Sequence, residues 1–133
     1  NILCGGKRPS GFNKGYFYEP TVFDNIKDNF KILKEEPFGP LTPLLTFKTF
    51  EEVIKKANNQ EAGLASYVCT SSIKLANETS EALETGMVAI NTPFISSAET
   101  PFGGIKQSGY GREGGSHGIK DYLNLKYTHL GIV

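Results

Sequence analysis

The sequence predicts an α/β fold with a largely parallel sheet flanked by helices, plus a strand at the chain's end. Three observations carry that expectation. Between residues 41 and 91 the pattern reads strand, helix, strand, helix, strand, with short connections. Each of the two helical segments carries one apolar stripe, so each has one face to bury against a sheet. The last strand of the series, Met87-Val88-Ala89-Ile90-Asn91, opens with a continuous apolar run, 87–90, of the kind a covered parallel sheet requires.

The elements follow in order. Ile2-Leu3-Cys4 is a short apolar strand, and Gly5-Gly6-Lys7-Arg8-Pro9-Ser10-Gly11 is a turn-rich loop after it. Residues 16–23 are aromatic and β-branched, but Pro20 lacks an N–H and confines them to an edge or broken strand. Residues 28–33 suit a short helical turn. Residues 41–47 form a strand in which Pro40 and Pro43 restrict the early ladder bonds.

Thr49 and Glu52 then form a capping box, and Phe50, Val53, Ile54 and Ala57 repeat at helical spacing behind it. Asn58-Asn59 ends that helix and residues 64–70 form a strand. Ser71 or Ser72 caps a second helix running to about Glu84, with Ile73, Ala76, Thr79, Ala82 and Leu83 facing inward. Gly86 is expected to supply the left-handed residue after it. The strand ending at Asn91 opens a loop of some twenty residues, 92–113. Loops that long in a compact domain are usually functional. Ligands gather at the carboxyl ends of parallel strands, so this loop is the first place to seek a site. Residues 116–123 form a short helix, and 124–133 alternate Leu125, Tyr127 and His129 against Lys126 and Thr128 as a final strand.

Bulk composition excludes several classes. Lys and Arg number fourteen, as do Asp and Glu, so no electrostatic footprint argues for nucleic acid or an anionic membrane. The apolar runs are far too short to span a bilayer. His117 and His129 show no metal-ligand spacing, and no metal is expected. Cys4 and Cys69 lie far apart in apolar, strand-like context and read as small reduced core residues of a cytoplasmic protein. Asn1-Ile2-Leu3-Cys4 carries neither an initiator Met nor a signal-peptide pattern. It resembles the middle of a strand, so a longer parent protein is expected.

Two motifs concentrate the chemistry. In Thr100-Pro101-Phe102-Gly103-Gly104-Ile105-Lys106-Gln107-Ser108-Gly109-Tyr110-Gly111-Arg112-Glu113-Gly114-Gly115, glycines at fixed offsets among bulky side chains let main chain lie close to a ligand or another segment. Gly109–Gly114 matches the dinucleotide fingerprint G-x-G-x-x-G, but no buried strand precedes it and no acid follows Asp121 to hold a ribose. In Lys34-Glu35-Glu36-Pro37-Phe38-Gly39-Pro40, two carboxylates precede an aromatic ring on a proline-stiffened corner. A solvated acidic pair fits those residues. So does a carboxylate placed for a ribose hydroxyl beside a ring placed for a flat heteroaromatic group.

Glu35-Glu36-Pro37-Phe38-Gly39-Pro40, Gly86-Met87-Val88-Ala89-Ile90-Asn91 and the run 101–113 together resemble the C-terminal part of the NAD(P)-dependent aldehyde dehydrogenases, in that family's order and spacing. Residues 91–97 and 118–127 look most like succinate-semialdehyde dehydrogenases. The resemblance implies the C-terminal part of a catalytic domain over 1–123 and a subunit-pairing strand over 124–133. It implies a dimer or tetramer, and a cofactor that is NAD or NADP. By the same resemblance Glu36 contacts the nicotinamide ribose, Phe38 packs near the nicotinamide, Phe102 lines the aldehyde path, and Ser96 contacts the substrate's far carboxylate. No catalytic residue falls within this chain. The family's nucleophilic cysteine and general base belong to a preceding segment, and neither Cys4 nor Cys69 occupies a matching motif. Lys106, Arg112 and Glu113 are expected to shape the loop rather than react. Pro93-Phe94 stands where succinate-semialdehyde enzymes commonly carry Gly-Leu, which stiffens and crowds the loop. The reaction implied is oxidation of an aldehyde, with succinic semialdehyde the expected substrate, to its acid. The rival reading is a non-catalytic assembly or binding module with the same fold.

Overall fold

A computed structural model describes residues 1–132 of the chain. It divides into two compact units, Asn1–Val53 and a second that begins at Ile54.

The first unit is built on a three-stranded sheet in the order β1 (Ile2–Cys4), β2 (Thr21–Phe23), β3 (Leu41–Pro43). β1 runs antiparallel to β2, with a bulge between Ile2 and Cys4, and β2 runs parallel to β3 with Thr21 opposite Leu41. Prolines set both strand lengths. The expected strand over 16–23 is trimmed to its last three residues because Pro20 cannot donate a ladder bond. Having begun after the proline, β2 is free to be the central strand rather than an edge. The strand expected over 41–47 stops at Pro43. Thr21 is buried yet satisfied: its hydroxyl donates to the Glu19 carbonyl oxygen at 2.8 Å and accepts from the Gly6 N–H at 2.8 Å. The helical turn expected over 28–33 is a single 3-10 turn, Lys31–Leu33.

Helix α1 (Phe50–Asn58) begins where the capping box placed it. The Thr49 hydroxyl accepts from the Glu52 N–H at 3.2 Å, and the Glu52 carboxylate accepts from the Lys48 N–H at 2.9 Å, one residue earlier than the usual box partner.

In the second unit β4 (Ala62–Gly63) is followed by β5 (Ala65–Val68), α2 (Ile73–Ala82), β6 (Met87–Ile90), β7 (Ile105–Lys106) and α3 (Gly115–Gly118). A 3-10 turn, Ile119–Tyr122, closes the described secondary structure. β5 and β6 pair in parallel, Ala65 opposite Met87 through Val68 opposite Ile90, with α2 as the crossover. Core burial is centred here, on Ala76 of α2 and Met87 and Ala89 of β6. Ser72 caps α2 by accepting from the Leu75 N–H at 3.2 Å.

Several expectations change. Gly86 is not a left-handed helix terminus. α2 ends at Ala82 with Leu83 already extended, and Gly86 is required because a Cβ there would collide with the Gly103 carbonyl oxygen. The pairing is mixed and distributed over three small sheets: β2·β3 and β5·β6 are parallel, β1·β2 and β4·β7 antiparallel. β7 lies inside the loop expected over 92–113. Residues 124–132 form no strand within the described chain, and Leu125, Tyr127, Leu130 and Ile132 are exposed. Cys4 and Cys69 are free but exposed rather than buried, since β1 has every side chain open to solvent and Cys69 lies just past the end of β5. No helix among the described residues is long and apolar enough to cross a membrane.

Candidate active-site walls

The expected site residues occupy two structural settings, one in each unit. In the first, Lys34 and Glu35 N–H groups both donate to the Lys31 carbonyl oxygen at 2.9 Å, which winds the chain tightly into Glu36. The corner that follows consists of two consecutive three-residue turns. Gly39 N–H donates to the Pro37 carbonyl at 2.7 Å and Leu41 N–H to the Gly39 carbonyl at 2.8 Å. The Pro40 carbonyl accepts from Thr21 N–H at 2.8 Å, so the corner is anchored to the start of β2. This backbone holds the Phe38 ring out at 96% exposure, with the Glu36 carboxylate also exposed two residues before it. Glu35 is occupied by Lys31 at 3.1 Å, a pairing typical of a solvated helical turn. Of the two carboxylates, the one next to the proline corner is Glu36.

In the second unit, β6 delivers the chain to Asn91, which sits at φ 56°. Its amide is fixed on both sides, Nδ2 donating to the Thr70 carbonyl at 2.7 Å and Oδ1 accepting from the Thr70 N–H at 2.8 Å. The parallel ladder is thereby extended one step by a side chain. Ser96 is exposed on the segment that follows, beside a turn closed by Thr100 N–H donating to the Ser97 carbonyl at 3.3 Å. Within that turn the Glu99 carboxylate is held below its ordinary range, first by its own backbone N–H and then by the Ser97 hydroxyl. Phe94 is exposed, and its N–H donates to the Thr92 hydroxyl at 3.1 Å, so Pro93 stiffens this segment without burying the ring.

The glycine-rich run folds back on itself as a lip. Phe102 N–H and Glu113 N–H donate to one another's carbonyls at 2.7 Å each, which brings the two ends of the run together. Between them, β7 pairs with β4, and Lys106 adopts φ 57°. The Lys106 ammonium reaches the Glu84 carboxylate at 2.6 Å and the Asn58 carbonyl at 2.9 Å, knotting the lip to the ends of α1 and α2. The Arg112 guanidinium donates to the Gly104 carbonyl at 2.8 Å and the Gly111 carbonyl at 2.7 Å, and the Arg112 N–H donates to the Asp121 carboxylate at 2.9 Å. Phe102, half-buried, lines a groove of about 300 Å³ together with Leu64, Tyr110, Arg112, Glu113 and Tyr122.

Lys106 and Arg112 do shape the loop, as their setting suggested. Their partners are mostly main-chain carbonyls and residues up to 48 positions away, which no local pattern encodes. The fingerprint match at Gly109–Gly114 lies between a two-residue antiparallel strand and a four-residue helix, not between a buried parallel strand and a long helix. No cluster of three or more potential metal ligands occurs among the described residues.

The groups of the first unit suit a nucleotide, and those of the second suit an aldehyde. An exposed carboxylate beside an exposed ring offers hydrogen-bond acceptance to hydroxyls next to a flat apolar face. A half-buried ring in a glycine-walled groove offers an apolar passage.

Comparison with known proteins gives the family. The aldehyde dehydrogenase family profile matches residues 1–128. The mitochondrial succinate-semialdehyde dehydrogenase of Oryza sativa is 50% identical over 132 residues, covering 98% of this chain and 24% of that protein. An Escherichia coli NADP dependent enzyme superimposes with a TM-score of 0.93 at 46% identity, over 99% of this chain and 27% of that one. An aldehyde dehydrogenase from Bacillus cereus, solved as its NAD+ complex, gives a TM-score of 0.89 at 44% identity, over 95% of this chain and 25% of that one. The chain thus spans about a quarter of the length of the relatives it matches. With the profile matched over nearly all its residues, this chain belongs to the aldehyde dehydrogenase family.

Proposed function

We propose that this chain contributes cofactor-binding and aldehyde-binding residues to a longer NAD(P)-dependent dehydrogenase that oxidises succinic semialdehyde to succinate. The observation that carries the reading is the lip. A half-buried Phe102 is held by two 2.7 Å bonds to Glu113 above a groove, in a chain half-identical to a succinate-semialdehyde dehydrogenase. The net change is aldehyde plus water plus NAD(P)+ to carboxylic acid, NAD(P)H and a proton. The nicotinamide, when bound, accepts the hydride.

The residues of this chain bind and orient. Glu36 accepts hydrogen bonds from the nicotinamide ribose, and Phe38 packs beside the ring. Phe102 narrows the aldehyde path and excludes water from it, and Ser96 donates to the substrate's far carboxylate. The covalent steps, addition of a thiolate to the carbonyl and hydrolysis of the resulting thioester, fall to groups elsewhere in the longer polypeptide. Cys4 is unsuited to them. Its Sγ faces the Pro20 carbonyl oxygen at 3.9 Å, which is no base for a thiol proton. The exposed tail from Leu125 to Ile132 supplies a subunit contact in the assembled enzyme. We place the enzyme in the reducing cytoplasm, in keeping with the two free thiols of this chain.

The test is steady-state oxidation of succinic semialdehyde, followed by reduced cofactor, for this chain and for a polypeptide that carries it with the rest of a family-length enzyme. This chain alone is expected to show no turnover, and the longer polypeptide to be active with Phe102→Ala raising KM. Turnover by this chain alone, or an inactive longer polypeptide, overturns the reading.

A further inference from the structure

We propose that Arg112 is a positioning residue whose guanidinium staples the two limbs of the lip, setting the depth of the Phe102 ring and hence the affinity for the aldehyde. The proposal rests on the reading of Phe102 as the ring that lines the aldehyde path.

The geometry is specific. One terminal nitrogen of Arg112, Nη1, makes both carbonyl contacts, to Gly104 at 2.8 Å and Gly111 at 2.7 Å. That nitrogen carries two hydrogens, so one atom spends its whole donor capacity joining residues on opposite limbs. Both acceptors are uncharged carbonyls at short range, where a bond from a charged donor is stronger than a neutral one. The root of the side chain is fixed separately, by the Arg112 N–H on the Asp121 carboxylate at 2.9 Å. The next residue, Glu113, makes the reciprocal pair with Phe102.

The glycines are fitted to this arrangement. A Cβ on Gly103 would lie 2.8 Å from the Arg112 Cδ, and one on Gly111, at φ 80°, would collide with the Asp121 carboxylate. The arginine stem therefore lies flat across Gly103, next to Phe102, and the carboxylate closes over Gly111. Removing the guanidinium leaves the Phe102–Glu113 pair as a two-ended bridge without its brace. The ring then gains freedom in the groove, which weakens substrate positioning while leaving the reacting groups untouched.

Two measurements test this. In a family-length enzyme carrying these residues, amide hydrogen exchange at Phe102 and Glu113 is expected to quicken about tenfold in Arg112→Met, while the Met87 amide, bonded to Leu64 just before β5, is unchanged. Asp121→Asn keeps an acceptor oxygen and is expected to exchange like the parent, whereas Asp121→Leu follows Arg112→Met. If Arg112→Met loses protection at Met87 as well, Gly111→Ala, whose Cβ would displace the Asp121 carboxylate from the Arg112 N–H, disturbs the root of the staple without removing the charge and is expected to reproduce the local change. In a family-length enzyme carrying these residues, Arg112→Met is expected to raise KM about tenfold with kcat within about twofold, and Arg112→Lys to fall between the two. Unchanged exchange at Phe102 and Glu113, or a fall in kcat at constant KM, overturns the staple. An inactive wild-type enzyme overturns the functional reading instead, and the exchange data still decide the staple.

Discussion

The Thr49 hydroxyl serves two carboxylate-bearing residues at once. It accepts from the Glu52 N–H as a helix cap, and it helps hold the Glu51 carboxylate below its ordinary value of 4.5, after the larger effect of the Glu51 backbone N–H. The sign follows from linkage. A carboxylate with a depressed folded-state pKa adds stability that is complete above its unfolded value and is lost as pH falls through the folded one. Thr49→Ala should therefore bring the Glu51 pKa upward, toward 4.5, in a carboxyl-carbon NMR titration, and lessen the acid sensitivity of α1. A Glu51 titration that is the same in both proteins would refute this assignment. The threonine cap was legible because its pattern is local, four residues wide. The φ of 57° at Lys106 was not, because the Glu84, Asn58 and Gln60 groups that hold its ammonium are distant in sequence and meet it only in the fold.

Among elements, those with their own caps and stripes read correctly, and those that depend on distant partners did not. α1 and α2 start where Thr49 and Ser72 place them, and β6 spans the apolar run. β7 is two residues long and gains its partner, β4, from some forty positions earlier, so no periodicity could announce it. The ends of α1 and α2 are likewise set by a residue read only as a terminator. The Asn58 amide donates to the Ala82 carbonyl and accepts from the Glu84 N–H, both at 2.8 Å. Two hydrogen bonds, one partly buried and one exposed, at about 1 kcal/mol each make Asn58→Ala the costlier of two helix-end substitutions. Ser72→Ala, which removes one exposed cap bond, should cost about 1 kcal/mol and Asn58→Ala about 2 kcal/mol. Urea denaturation of the two variants orders them, and equal midpoints at equal slopes would mean that Asn58 is not the joint between these helices.

For the whole molecule, the balance of buried and exposed surface decides behaviour in isolation. The chain exposes 11,007 Å². A compact 14.5 kDa monomer would expose roughly 7,000 Å², and two separate compact bodies of the sizes found here roughly 8,000 Å². The excess is therefore not a matter of how the two units are arranged. It arises because Ala76, Met87 and Ala89 are the buried hydrophobic residues among those described, while Tyr16, Phe38, Leu125 and Ile132 each stand at 96% exposure or more. Composition gave no warning, since 38% hydrophobic residues is ordinary for a globular chain of this length. What composition lacks is the identity of the surface that covers those residues, and the relatives this chain matches are about four times its length. Apolar area on this scale favours association. The isolated chain should bind a hydrophobic reporter dye strongly and sediment as a concentration-dependent distribution, and a family-length enzyme carrying it should bind less dye per copy of this segment. A monodisperse monomer with no dye binding would mean that the exposed face is closed by rearrangement within these residues, and that no other surface is needed to complete the fold.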